Sequence, residues 1–169
     1  MMNRPLYVDQ ALHVLELLPS PRAIEIAEHA LCDGHETDAI VDLASRSKRE
    51  ARWTDLDSLF EHVLADLGLR LLSPSEAQII VVAYFARQYC DGDLSTRLFF
   101  DGLYRVAFTI NKPAVGNVVL SNYLVNLDYL DSMYTEAESA HDLKRTAVWE
   151  MEALKICRRL LTDIPMEHS

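Results

Sequence analysis

Residues 32–38 read CDGHETD, which sets a thiol, an imidazole and three carboxylates around a glycine able to bend the chain. If His35 opens a helix, His35, Asp38 and Asp42 share one face at steps of three and four, and His29 and Asp33 approach from the helix before. Nitrogen and oxygen donors of this kind suit a divalent cation. One functional reading is therefore a small helical metal-binding protein, or a metal-dependent enzyme, built on His29, Asp33, His35, Asp38 and Asp42. The metalloprotease pair is missing, because His35-Glu36 is followed by Thr37-Asp38-Ala39 with no second imidazole.

A second copy of the stretch favours a different reading. Residues 90–95 read CDGDLS, so C-D-G-x-x-[ST] occurs twice, each time between two apolar helical patterns. One turn mechanism serves both copies: Gly34 and Gly92 end a helix in the left-handed conformation, and Thr37 and Ser95 cap the next. The second copy keeps these turn residues but has Asp93 in place of His35 and Thr96 in place of Asp38. The pattern preserves the corner and not the donors, so two helical hairpins are expected here, and no cofactor. Cys32 and Cys90 sit at the negative end of a helix dipole and each precedes an aspartate, which makes both poor nucleophiles.

Other signals for chemistry are thin. GxGxxG, Walker and GxSxG patterns are absent, and five glycines scattered at expected helix ends build no phosphate cradle. The six histidines show no acid–base spacing. One basic concentration, SRSKREARW at 45–53, places Arg49, Arg52 and Trp53 together, where an aromatic among cations can anchor a protein interface or stack a base. Asn117, Asn122 and Asn126, with Ser121 and Tyr129, make a polar strip along a helical pattern that asparagine does not favour intrinsically, which invites a ligand or partner face.

The elements that must position these residues are helices. The chain has 169 residues, half of them hydrophobic and a quarter charged, which suits one globular domain with a real core. Ser20-Pro21 and Ser73-Pro74-Ser75-Glu76 read as helix starts, the latter a capping box; Thr135-x-x-Glu138 fits the same box and Thr54-x-x-Asp57 is a weaker relative. Val8, Ala11, Leu12, Leu15 and Leu18 form the stripe of a first helix, and Ile24, Ala27 and Leu31 that of a second. Leu56, Leu59, Phe60, Val63, Leu64 and Leu67 form the clearest stripe, which Gly68 ends.

Ala77 to Ala86 is apolar on every side and β-branched enough to be a buried strand, but its capping box and length favour a helix. A helix after Ser95 carries Phe99, Leu103, Val106, Ala107 and Ile110 until Asn111-Lys112-Pro113 stops it. The next carries Val119, Tyr123, Leu127, Leu130 and Tyr134, and the last carries Leu143, Ala147, Met151, Leu154 and Leu161. The fold expected is all-α: a single-domain antiparallel bundle of about eight helices built from helical hairpins, frayed at about 1–5 and 164–169.

Charge narrows the partners. Sixteen basic and 26 acidic side chains give −10, spread as 7 against 13 over residues 1–70 and 9 against 13 over 71–169. Such a field repels nucleic acid and anionic lipid and attracts a basic protein. Three cysteines with no CxxC spacing fit reduced thiols in the cytoplasm, and the opening MMNRPLYVDQ lacks the apolar core of a signal peptide. The function that fits best is a non-enzymatic acidic interaction module, an adaptor, inhibitor or immunity-type protein, that binds a basic protein partner through Arg49, Arg52, Trp53, Asn122 and Asn126.

Overall fold

A computed structural model describes residues 4–49, 52–108 and 118–164. Among them every regular element is a helix, eight in all, and Ala77 to Ala86 is helical like the rest. They fall into two compact units, one up to Ser73 and one from Pro74. The first holds α1 (Leu6–Val14), α2 (Ser20–Cys32), α3 (Asp38–Ala44) and α4 (Trp53–Asp66). The second holds α5 (Pro74–Cys90), α6 (Thr96–Phe108), α7 (Val118–Ser139) and α8 (Leu143–Asp163).

Within each unit, neighbours in sequence pack as hairpins: α2 on α3 and α3 on α4 in the first, α5 on α6, α6 on α7 and α7 on α8 in the second, where α8 also returns onto α5. The core of the first unit is the expected stripe of α1 together with Ile24, Ala27, Ile40, Leu43, Leu56, Phe60 and Val63, all nearly or wholly removed from water. In the second, Phe99 lies flat on Tyr89, with ring centroids 4.5 Å apart and planes 9° from parallel.

The turns explain why the helices stop where they do. After α2 the Gly34 N–H donates to the Leu31 carbonyl and the His35 N–H to that of Ala30; after α5 Gly92 donates to Tyr89 and Asp93 to Gln88. Both are Schellman closures, with Gly34 at φ 89° and Gly92 at φ 83°. Gly68 closes α4 in the same way onto Ala65, and Leu69 onto Leu64. Two further helices close identically without glycine: Glu16 at φ 57° ends α1 and His141 at φ 56° ends α7.

Several expectations need correcting. Thr135 starts nothing, because α7 runs through it to Ser139; the last helix is capped by Asp142, which accepts from the N–H groups of Lys144 and Arg145. Ser20 and Thr54 lie inside their helices, with Pro19 and Arg52 at the N-caps. The stripe assigned to α8 lies on the wrong face: Leu143 and Met151 are exposed, and the buried positions are Ala153, Cys157 and Leu160. Two of the three buried positions carry small side chains, so the large apolar residues mark the wrong side. Val119 is likewise exposed.

Gly102 is mid-helix and not at an end, where a Cβ would lie 3.1 Å from the Phe85 ring. Ile110, the stop at 111–113 and Asn117 lie outside the described residues, as do 1–3 and 165–169 of the ends expected to fray; Arg4 is held in an ion pair.

Candidate functional site

The first corner is a capped turn with its polar groups outward. Thr37 caps α3, its hydroxyl oxygen accepting from the Ile40 N–H at 3.4 Å while donating to Asp66. His29, Asp33, His35, Asp38 and Asp42 are all exposed, and Asp42 pairs with Arg46 one helical turn on at 2.9 Å. Among the described residues no three His, Cys, Asp or Glu side chains are grouped to hold a metal ion. Asp38 and Asp42 lie on α3, while His29, Asp33 and His35 line a groove in which neither takes part.

That groove, of about 790 Å³, contains what the sequence reading missed. Its polar wall is made by Arg4, Asp9 and Arg22. Asp9 is wholly buried on the apolar stripe of α1, next to Val8 and one turn before Leu12. A carboxylate there is costly unless cations meet it. Arg22 of α2 does so with two donors, Nη2 at 2.8 Å and Nε at 3.1 Å from Oδ2, and Arg4 brings its Nε to 3.2 Å from Oδ1.

Arg22 is further engaged with Glu25 at 3.3 Å and with the Arg4 carbonyl at 3.5 Å. The hydrogen bond to Asp9 raises the Arg22 pKa above its ordinary value despite partial burial. A charged residue in register with a helix's apolar stripe was the available signal. No spacing in the sequence links Asp9 to Arg22, which lies on the next helix.

The remaining predicted residues are dispersed. Arg49 is exposed in the turn before α4, Arg52 is exposed at its N-cap, and Trp53 is its first residue. Arg46 and Lys48 of the same stretch are tied to Asp42 and Glu28. Asn122 and Asn126 are exposed on α7, on the side that also presents Val125, 70% exposed, and Tyr129, 59% exposed. Over its 22 residues α7 carries Asp128, Asp131, Glu136 and Glu138 and no Lys, Arg or His. Asp131 is pushed above the usual carboxylate range by burial and by the neighbouring Asp128 and Asp101.

The cysteines differ in access. Cys32 is exposed, Cys90 half-buried and Cys157 buried. Burial pushes the Cys90 thiol up, with Asp91 adding to the effect and Arg158 opposing it; burial pushes Cys157 up much further. None of the described helices is long and apolar enough to cross a membrane.

Comparison with family models, curated proteins and solved structures finds no match for this chain.

Proposed function

We propose that the protein is a non-enzymatic, acidic interaction module, an adaptor, inhibitor or immunity-type protein, that covers a basic surface on a protein partner. The observation that carries this reading is the outer face of α7. There Val125 and Tyr129, one turn apart, stand in solvent beside Asn122 and Asn126 on a helix whose only charges are negative. An exposed aliphatic and aromatic pair ringed by polar side chains has the make-up of an interface centre, and the carboxylates attract a cationic partner and repel nucleic acid. Asn122 and Asn126 can supply hydrogen bonds at its rim. Arg49, Arg52 and Trp53 belong to the first unit and form a separate, secondary contact in this reading. The cytoplasm is the setting proposed, where the three unpaired cysteines stay reduced.

The test is affinity capture from the host cell extract with the native chain and a Val125→Ser/Tyr129→Ala variant. The reading expects captured proteins of basic isoelectric point, released by raised salt and lost from the variant. Neutral or acidic partners, held equally by both chains at any salt, would refute it.

A further inference from the structure

We infer that the groove of the first unit is a binding site for a small organic carboxylate with an apolar body, recognised by the terminal nitrogens of the Arg4 guanidinium. The groove lies in the size range of small-molecule pockets and joins two kinds of surface. Leu6, Ile26 and Leu67 supply apolar area, and Arg4 and Arg22 supply the cations.

The two arginines are not equivalent. Arg22 spends Nε, Nη1 and Nη2 on Asp9, Glu25 and the Arg4 carbonyl. Among the described residues Arg4 is paired through Nε, with the buried Asp9. Its two terminal nitrogens have no partner among the described residues, and its side chain retains 29% of its exposure. The Nε–Oδ1 contact is an ion pair without a hydrogen bond, since Oδ1 accepts none among the described residues, so Asp9 draws the guanidinium to the groove by charge and leaves the coplanar terminal donors, which match the two oxygens of a carboxylate, to a ligand.

The alternative anion is a phosphate, and two features weigh against it. One open fork is fewer donors than a doubly charged phosphate needs, and the chain's −10 field repels a dianion more than a monoanion. The exposed His29 and His35 also line the groove, so their imidazole signals can serve to follow its occupancy.

The probe is hexanoate, with neutral hexanamide as its match in shape. Both are titrated at neutral pH into the full-length protein while the imidazole proton resonances are followed, with His141 of the second unit as internal control. Hexanoate is expected to shift the His29 and His35 signals saturably and to leave His141 unmoved, whereas hexanamide binds at least about tenfold more weakly. Arg4→Gln should weaken hexanoate by a similar factor. Arg4→Lys, which keeps the charge toward Asp9 but loses the fork, should lie between, so a folding defect in one variant leaves the other and the amide comparison standing. Equal binding of acid and amide overturns the inference, as does absence of saturable shifts, or unchanged affinity in a folded Arg4→Gln protein. Inorganic phosphate competing more strongly than hexanoate would overturn the assignment to carboxylates.

Discussion

Arg22 donates two hydrogen bonds to one oxygen of Asp9, a carboxylate with no exposed surface, and so ties the start of α2 to the middle of α1. Removing the cation leaves a buried charge with only Arg4 near it. Arg22→Ala is therefore expected to destabilise the protein by about 3–5 kcal/mol, the usual cost of breaking a buried pair from one side. Replacing both partners by apolar residues of similar volume, Asp9→Leu with Arg22→Met, should cost much less than the single change. Urea denaturation of the three chains checks the ordering; equal losses in the single and double variants would show that packing, not charge, holds this junction.

Glu16 and His141 occupy the left-handed position that Gly34, Gly68 and Gly92 fill elsewhere. An L side chain there costs about 1–2 kcal/mol, part of which glycine returns through its greater freedom in the unfolded chain. Glu16→Gly should thus stabilise by about 0.5–1 kcal/mol. His141→Gly should gain less, because its Nδ1 lies 3.2 Å from the Glu138 carbonyl oxygen and that contact would be lost. In the opposite direction, Gly34→Ala and Gly92→Ala should each cost about 1 kcal/mol. That loss is purely a backbone effect, since an added Cβ meets nothing within 4 Å at either site. Thermal unfolding of the four variants decides it.

His13 brings a pH dependence. It is 7% exposed, edge-on to Phe60 with ring centroids 5.2 Å apart, and burial lowers its pKa below 6.5 although Asp57 and Glu61 pull it upward. The unfolded chain then binds a proton more readily than the folded one. The His13 contribution is intact above about pH 6.5 and is lost as pH falls from there through the folded value. Wild-type protein should lose stability between pH 7.5 and 5.5, and His13→Gln should lose less over the same interval. Parallel curves would assign the loss to other groups.

Thiol reactivity should separate the three cysteines. Cys32 is exposed, Cys90 is half-buried, and Cys157 has no exposed surface. A thiol reagent at neutral pH should modify them in that order, with Cys157 reacting at the rate of global unfolding. Mass mapping of the labelled sites gives the order, and early loss of Cys157 would contradict the packing of α8.

What the sequence disclosed, and what it hid, follow from the range of the interactions involved. Helix ends depend on residues within one turn, so Gly34, Gly68, Gly92, Thr37 and Pro74 could be read directly. The ends at Glu16 and His141 could not, because there the chain accepts strain that no residue type announces. Faces of helices were legible where large apolar residues pack, as at Leu56, Phe60 and Val63. They are not legible on α8, where Ala153 and Cys157 are buried and Leu143 is left in water. The groove was hidden altogether, since Arg4, Asp9, Arg22 and His35 meet only after α1 and α2 have packed.

The second C-D-G corner offers the sharpest test of treating both corners as architecture. Thr96, which stands where the first corner has Asp38, is buried; its hydroxyl lies 3.0 Å from Glu150 Oε1 and 3.2 Å from the Tyr89 hydroxyl, which itself donates to the Glu150 carbonyl at 3.2 Å. The position that could have carried a metal donor instead pins the turn to α8. Thr96→Val keeps the shape and removes the hydroxyl, leaving the Glu150 carboxylate oxygen without this donor, and should cost about 1–3 kcal/mol. Thr96→Ser should recover most of it. In the first corner Asp38 is exposed in the first turn of α3, where its carboxylate favours the helix dipole alone, so Asp38→Val should cost no more than about 1 kcal/mol and Asp38→Glu almost nothing. Chemical denaturation of the four variants tests the contrast. A loss at Asp38 as large as that at Thr96 would mean that the first corner carries interactions beyond its turn.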